Sequence, residues 1–404
     1  MKSSIGFILA MVAATAVGTA TAADGTWDRF LALRVRQMQE KARAHNVELP
    51  EGYTSVLAAV KSNDWPATSN AFNRVFSGTQ EGNPRASILW QDLLEIYGAF
   101  EQFAQWRPSL IRMYGEDILA GVASNSIVFG GTDPGRFVVT AFQEATRKPF
   151  RVVTQNALAD NTYMEYLRDK AGAAIWLPSQ EDSSRAFQQY VQDVQSGRMP
   201  ANAEIKIEDG RISVMGVGGV MTINGIMARM IFDRNRTNHA FYVEESYVIP
   251  WMYPYLRPAG LVMRLNPEPV ELTAEMAAED RRFWDAYEKR LLAHPDFGRD
   301  EFARKTYSKL RSAIAGLFAY RGRTDDAEHA FRQAQALCPA SPEAAFRLAD
   351  LYANGGRWDE AMAVMEEFRK VDPKNDMADR FLANLQDRRS ADKAKPSHPS
   401  DHPQ

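Results

Sequence analysis

Between residues 29 and 120 apolar side chains recur every three or four positions, the period of a helix with one buried face. Arg29 to Ala44 keeps this period until Pro50-Glu51-Gly52 interrupts it, and Tyr53 to Lys61 and Trp65 to Val75 resume it. The last of these opens on Asp64, a helix-capping residue type, with Pro66 in the first turn. Ala86 to Trp106 predicts a longer helix that Pro108 ends, and Ser109 to Ala120 is amphipathic.

Near residue 121 the period changes. Ser126 to Phe129 is a short β-branched run ending on Gly130-Gly131, and Thr132-Asp133-Pro134 then opens a helix to about Thr146. Phe150 to Thr154 repeats the strand pattern, and Asn161 to about Ala171 the helical one. Strand, helix, strand, helix at this spacing predicts parallel pairing with a right-handed crossover. Glu204 to Ile207 and Arg211 to Met215 flank Glu208-Asp209-Gly210, a hairpin turn signal. A helix from about Val220 to Asn235, a strand from His239 to Val243 and a last strand from Leu261 to Leu265 complete this part, with Pro267 and Pro269 as its boundary.

The final hundred residues carry a repeat. Pro339 and Pro373 stand 34 residues apart, as do Ala327 and Ala361, Phe331 and Met365, and Gly322 and Gly356. Ile314-Ala315 matches Leu348-Ala349 and Phe318 matches Tyr352 at the same offset. Small residues let paired helices approach, aromatics fill the space between them and prolines stop each unit. Over residues 308 to 388 the chain resembles the tetratricopeptide repeat family: units at 308–341 and 342–375, then a capping helix. Two units are fewer than such arrays need alone, so the helices from 272 to 307, with Phe283, Trp284, Leu291 and Leu292, are expected to pack against them.

The N-terminus alters the expected compartment. Met1-Lys2, the apolar stretch Ile5 to Val17 and the small-x-small site Ala20-Thr21-Ala22 predict a cleaved signal peptide over residues 1–22 and a periplasmic or otherwise exported protein. No later stretch reaches the roughly 18 apolar residues of a spanning helix. The chain has 404 residues, a net charge of −3 and one cysteine, Cys338. These predict a chain of two or three domains with no internal disulfide and no basic face for nucleic acid. The expected fold class is mixed α/β: a helical region (23–120), an α/β domain with a small mostly parallel sheet (121–270), a C-terminal α-solenoid within 271–390, and a disordered tail (391–404).

Chemistry is sparse. The six histidines show no metal-ligand spacing, no nucleophile elbow or phosphate loop is present, and neither metal nor cofactor is expected. Gly130-Gly131-Thr132-Asp133-Pro134-Gly135-Arg136 lies at the carboxyl end of the first strand, where parallel sheets bind ligands. Its glycines allow close approach, its helix start with Arg136 suits an anion, and Asp133 is either a helix cap or a ligand contact. Gln155, Asn156 and Asp160 follow the second strand on the same edge, with Asp160 also placed to cap the next helix. Glu244 and Glu245 point to opposite faces of their strand and so form no catalytic pair. Tyr247, Trp251, Tyr253 and Tyr255 could stack on a sugar or fill the core.

Three segments, "VFGGTDPGRFVVTAF", "FRVVTQNALADNTYMEYLRD" and "FYVEESYVIPWMYPYLRPAGLVMRLNP", resemble the soluble extracytoplasmic region of bacterial GT-C membrane proteins related to protein O-mannosyltransferases. In that family tetratricopeptide repeats often follow. The resemblance covers roughly residues 107 to 390. The family's membrane-embedded region, which carries the transferase carboxylates, has no counterpart in these segments, so transferase activity is not carried over and the resemblance implies an accessory role. The candidate ligand-binding residues are Gly130, Gly131, Asp133, Arg136, Asn156, Asp160, Glu244 and Trp251. The expected function is non-catalytic binding of a protein or glycan partner in the cell envelope; the alternative is an envelope enzyme acting on sugars, with Asp133, Asn156, Asp160 and Glu244 in one cleft.

Overall fold

The computed structural model describes residues 25–78, 87–198, 204–208, 211–245 and 247–393. The expected signal peptide and the tail beyond residue 393 lie outside them.

Five helices come first: α1 (Thr26–Ala44), α2 (Glu51–Lys61), α3 (Trp65–Phe76), α4 (Trp90–Gln105) and α5 (Pro108–Gly121). Asp64 caps α3 by accepting from the Ala67 amide at 2.9 Å, as its sequence position predicts. The α/β part follows: β1 (Ser126–Gly130), a π-helical turn (Pro134–Val138) running into α6 (Val139–Thr146), β2 (Arg151–Thr154), α7 (Asn161–Ala171), α8 (Gln180–Gln195), the hairpin β3 (Glu204–Glu208) and β4 (Arg211–Met215), α9 (Val217–Asn235), β5 (Ala240–Glu244), a 3₁₀ turn (Pro250–Tyr255), β6 (Leu256–Ala259) and β7 (Val262–Leu265). The remaining helices are α10 (Ala274–Leu292), α11 (Glu301–Tyr320), α12 (Thr324–Leu337), α13 (Pro342–Asn354), α14 (Trp358–Val371) and α15 (Asp376–Lys393). No helix of the described residues is long and apolar enough to cross a membrane.

The sheet is mixed, which corrects the mostly parallel expectation. Its order is β2-β1-β5-β7-β6. β1 pairs in parallel with β2 and β5, whereas β7 runs antiparallel to β5 and β6. β6 is not among the predicted strands, because Pro258 interrupts its pattern. Pro258 is tolerated because β6 is an edge strand, where one face of the ladder needs no amide donor. The helix α8 was also missed; a capping box between Ser179 and Asp182 starts it.

The N-terminal helices and the sheet share one apolar core. Trp27 of α1 packs on Phe100 and Phe103 of α4, and Phe103 stacks on Phe142 of α6. Through this core runs a layer of buried charge. Arg34 of α1 pairs with Glu144 of α6 at 2.8 Å and donates to the Tyr166 hydroxyl of α7 at 2.6 Å. Arg136 pairs with Glu95 of α4 at 2.9 Å. The repeats are fastened likewise: Arg311 of α11 meets Asp280 of α10 at 2.6 Å, both side chains 1% exposed. Asp300 accepts from the Arg107 amide at 2.6 Å and the Ala303 amide at 2.9 Å, so one carboxylate holds the starts of α5 and α11.

Breaking a buried pair strands the remaining charge, which costs about 3–5 kcal/mol. Arg136→Met should therefore lower stability by about that amount in urea denaturation, and Glu95→Gln/Arg136→Met should recover part of it. Equal stability of the single variant and the parent would show that the pair is not holding α4 to the sheet.

Candidate functional site

Strand β5 lies next to β1 and ends on Glu244, with Glu245 directly after it. Successive residues of a strand point to opposite faces, so each carboxylate enters a different strand-to-helix corner. Glu244, fully buried, reaches the corner after β1. Its Oε1 accepts from the Thr132 hydroxyl at 2.6 Å and the Tyr114 hydroxyl at 3.1 Å, and its Oε2 from the Thr132 amide at 3.3 Å. A Cβ at Gly135 would stand 1.6 Å from that oxygen, so only glycine fits there. The helix cap is Thr132, whose hydroxyl accepts from the Gly135 amide at 3.0 Å; Asp133 makes no capping bond. This corrects the expected cap at Asp133. The positive end of the helix turn, expected to hold an external anion, instead faces the chain's own carboxylate.

Glu245 fills the other corner. Its Oε2 accepts from Gln155 at 2.8 Å and from Asn156 at 3.0 Å, and its Oε1 from the Tyr247 amide at 3.1 Å. Asn156 also donates to the Gly131 carbonyl at 2.9 Å, joining the two corners directly. A Cβ on Gly131 would lie 1.5 Å from Glu245 Oε2, and one on Gly130 would lie 2.6 Å from the Gly135 carbonyl oxygen. The corners do meet, but the space between them is occupied by protein. Burial pushes Glu244 up to about 7, with the charge of Glu245 adding to the rise.

The other sequence-predicted residues part company. Arg136 is buried against Glu95, so its charge is spent inside the core and is not offered at the corner. Asp160 caps α7, accepting from the Thr162 amide at 2.8 Å. Trp251, partly buried, packs on Phe232 at the edge of the core and donates its indole N–H to the Gly225 carbonyl at 3.0 Å. Asp133 keeps its exposure. Near it, Glu101 is pushed up to about 7 by burial and by the Asp133 charge. Among the described residues no group of three or more His, Cys, Asp or Glu could hold a metal ion.

Beyond the corners the α/β part meets the repeats. The stripe Glu343, Arg347, Asp350 and Asn354 runs along α13 at helical spacing. Its equivalents 34 residues earlier on α11 include Lys309, Gly316 and Tyr320, and 34 residues later on α15 Met377, Phe381, Asn384 and Arg388. Arg388 bonds Asp350 at 2.9 Å and Asn354 at 2.8 Å, so the stripes of α13 and α15 are neighbours. Tyr253 of the 3₁₀ turn stacks on Tyr320 with ring centres 4.4 Å apart, and Arg321 grips the carbonyls of Tyr253 and Pro254. This junction has no local sequence signal, because none of Lys309, Glu343 or Arg347 belongs to a motif. The 34-residue period, followed along exposed positions as well as buried ones, would have found it.

Two outcomes test the corner. Gly131→Ala should cost about 1–3 kcal/mol through collision with Glu245, and adding Glu245→Ala should relieve part of that cost; additive losses in chemical denaturation would contradict the packing described. Folded Glu244 holds its proton to a higher pH than the unfolded chain, so its contribution to stability falls as pH rises from about 4.5 to about 7, by about 3 kcal/mol. Thermal unfolding of Glu244→Gln should lose that part of the slope. A slope unchanged from the parent would remove Glu244 as its source.

Residues 319–385 match the family model described as tetratricopeptide repeat. No curated protein matches the chain. The α13 stripe, Met377, Phe381 and Asn384 of α15 and the end of α11 fall within the matched segment, and Arg388 lies just beyond it.

Proposed function

We propose that the protein is an exported, non-catalytic accessory factor of the cell envelope that binds a partner polypeptide on the inner face of its repeats. The observation that carries this reading is the match at residues 319–385, together with the half-exposed polar stripe of Arg347, Asp350 and Asn354 on α13 within it and Arg388 on α15 just beyond it. Stacked helical repeats present extended surfaces of this kind, and their periodic side chains read an extended segment. Export rests on the N-terminal charge, apolar stretch and cleavage pattern over residues 1–22. The accessory role rests on the resemblance of the strand segments to the extracytoplasmic region of GT-C proteins. A glycan partner is the finer alternative; the repeats favour a polypeptide.

The sugar-hydrolysing or sugar-transferring alternative draws less support from the geometry. It needs Asp133, Asn156, Asp160 and Glu244 around one open space, whereas Asp160 caps a helix and Glu244 has no solvent contact.

A photo-crosslinking residue placed at Asn354 or Asn384, both exposed, tests the reading in envelope extract. Both positions should trap the same polypeptide, and Asp350→Ala/Arg388→Ala should reduce the yield at least several-fold. A control crosslinker at Glu367, exposed on α14, should trap none of it. Equal trapping from Glu367, or a yield that the double variant leaves unchanged, would contradict binding on the inner face.

A further inference from the structure

We infer that the α/β part, together with α5 packed on it, is a rigid mount for the repeats: it clamps α11 at both ends and presents the repeat face in one fixed setting. This goes beyond the reading of that face as a polypeptide site and holds whatever binds there.

The inference comes from where the fastenings fall. α11 is the first helix of the array, and its 20 residues make it about 30 Å long. At its start, Asp300 accepts from the Ala303 amide of α11 and, with its other oxygen, from the Arg107 amide that precedes α5, at 2.6 Å. Beside this anchor, Ser109 of α5 donates to Asp296 at 2.7 Å. At the far end, Arg321 directly follows α11 and donates to three carbonyls, Tyr253 at 3.3 Å, Pro254 at 3.1 Å and Val270. Tyr320 stacks on Tyr253 at the same place. Both anchors grip main chain, so on the mount's side they hold the backbone itself. α5 shares the core of the sheet: its Tyr114 donates to Glu244, and a Cβ on its Gly115 would stand 2.5 Å from the Phe142 ring of α6.

One anchor would leave the array free to swing about it. Two anchors a helix length apart leave only rotation about the α11 axis. Arg311, midway along α11, blocks that motion by pairing with Asp280 of α10 at 2.6 Å. α10 is in turn tied to α5, since Tyr287 and Arg290 donate to Asp117 at 2.7 and 3.0 Å. The setting then passes along the array. Arg347 of α13 lies on Gly316 of α11, where a Cβ would stand 1.8 Å from its Nη2, and Arg388 of α15 bonds Asp350 and Asn354 of α13. Each unit of a stacked array touches only its neighbours, so fixing the first sets the frame for the rest. A face held in place before its partner arrives loses less freedom on binding.

The test is a nitroxide-to-nitroxide distance, measured by pulsed electron spin resonance in the full chain. The labels sit on Glu165→Cys of α7 and Glu366→Cys of α14, both exposed positions, in a Cys338→Ala background. This parent should give one narrow distance peak. Asp300→Ser/Arg321→Ala removes both anchors while serine still caps α11, and it should at least double the peak width with helical circular dichroism unchanged. Should the double variant lose helical signal, Arg321→Ala alone decides, and it should widen the peak by at least half. A broad or two-peaked distribution in the parent, or the parent's width retained in the folded variant, would overturn the inference. Crosslinking at Asn354 and Asn384 does not depend on either result, so the mount and the repeat-face reading fail separately.

Discussion

The molecule is organised around the end of one strand. Glu244 ends β5 and Glu245 follows it, and because successive residues of extended chain alternate faces they send one carboxylate into each of two neighbouring corners. Each replaces a side chain that glycine lacks: Gly135 yields its Cβ space to Glu244 and Gly131 to Glu245. The amide and hydroxyl donors that a ligand would otherwise use are turned onto these carboxylates. β1, β2 and β5 are thus tied together at their carboxyl ends by side chains as well as by their ladders, and the usual binding edge of a parallel sheet is converted into a structural joint.

Buried charge plays the same fastening role elsewhere. Arg34, Arg136 and Arg311 each cross from one helix to another and meet a carboxylate with almost no solvent contact. Such pairs need both partners and a fixed geometry, so the first two join the N-terminal helices to the α/β part and the third joins α11 to α10. The repeats lean on α10 through Asp280 and Arg311, and on the 3₁₀ turn through Tyr253 and Arg321.

Much of the secondary structure was legible in the chain. Period and caps placed the α3 start, α7 and the paired repeat helices close to where they lie, because those signals are local. The direction of β6 and β7 was not legible, since pairing partners are chosen by packing at a distance and Pro258 masks the strand. The corner glycines were recognised as positions of close approach, but nothing local says what approaches. The answer came from Glu244 and Glu245, more than a hundred residues later. The role of Arg136 is hidden for the same reason, as its partner Glu95 stands on a helix forty-one residues earlier.

The central claim is that recognition belongs to the inner face of the repeats and not to the filled corners of the sheet. Hydrogen–deuterium exchange of the full chain, free and bound to its captured partner, addresses it most directly. The account predicts new protection over α13 and α15, with exchange at 130–136 and 154–160 unchanged. Protection confined to those two corners, with the repeats unaffected, would contradict it.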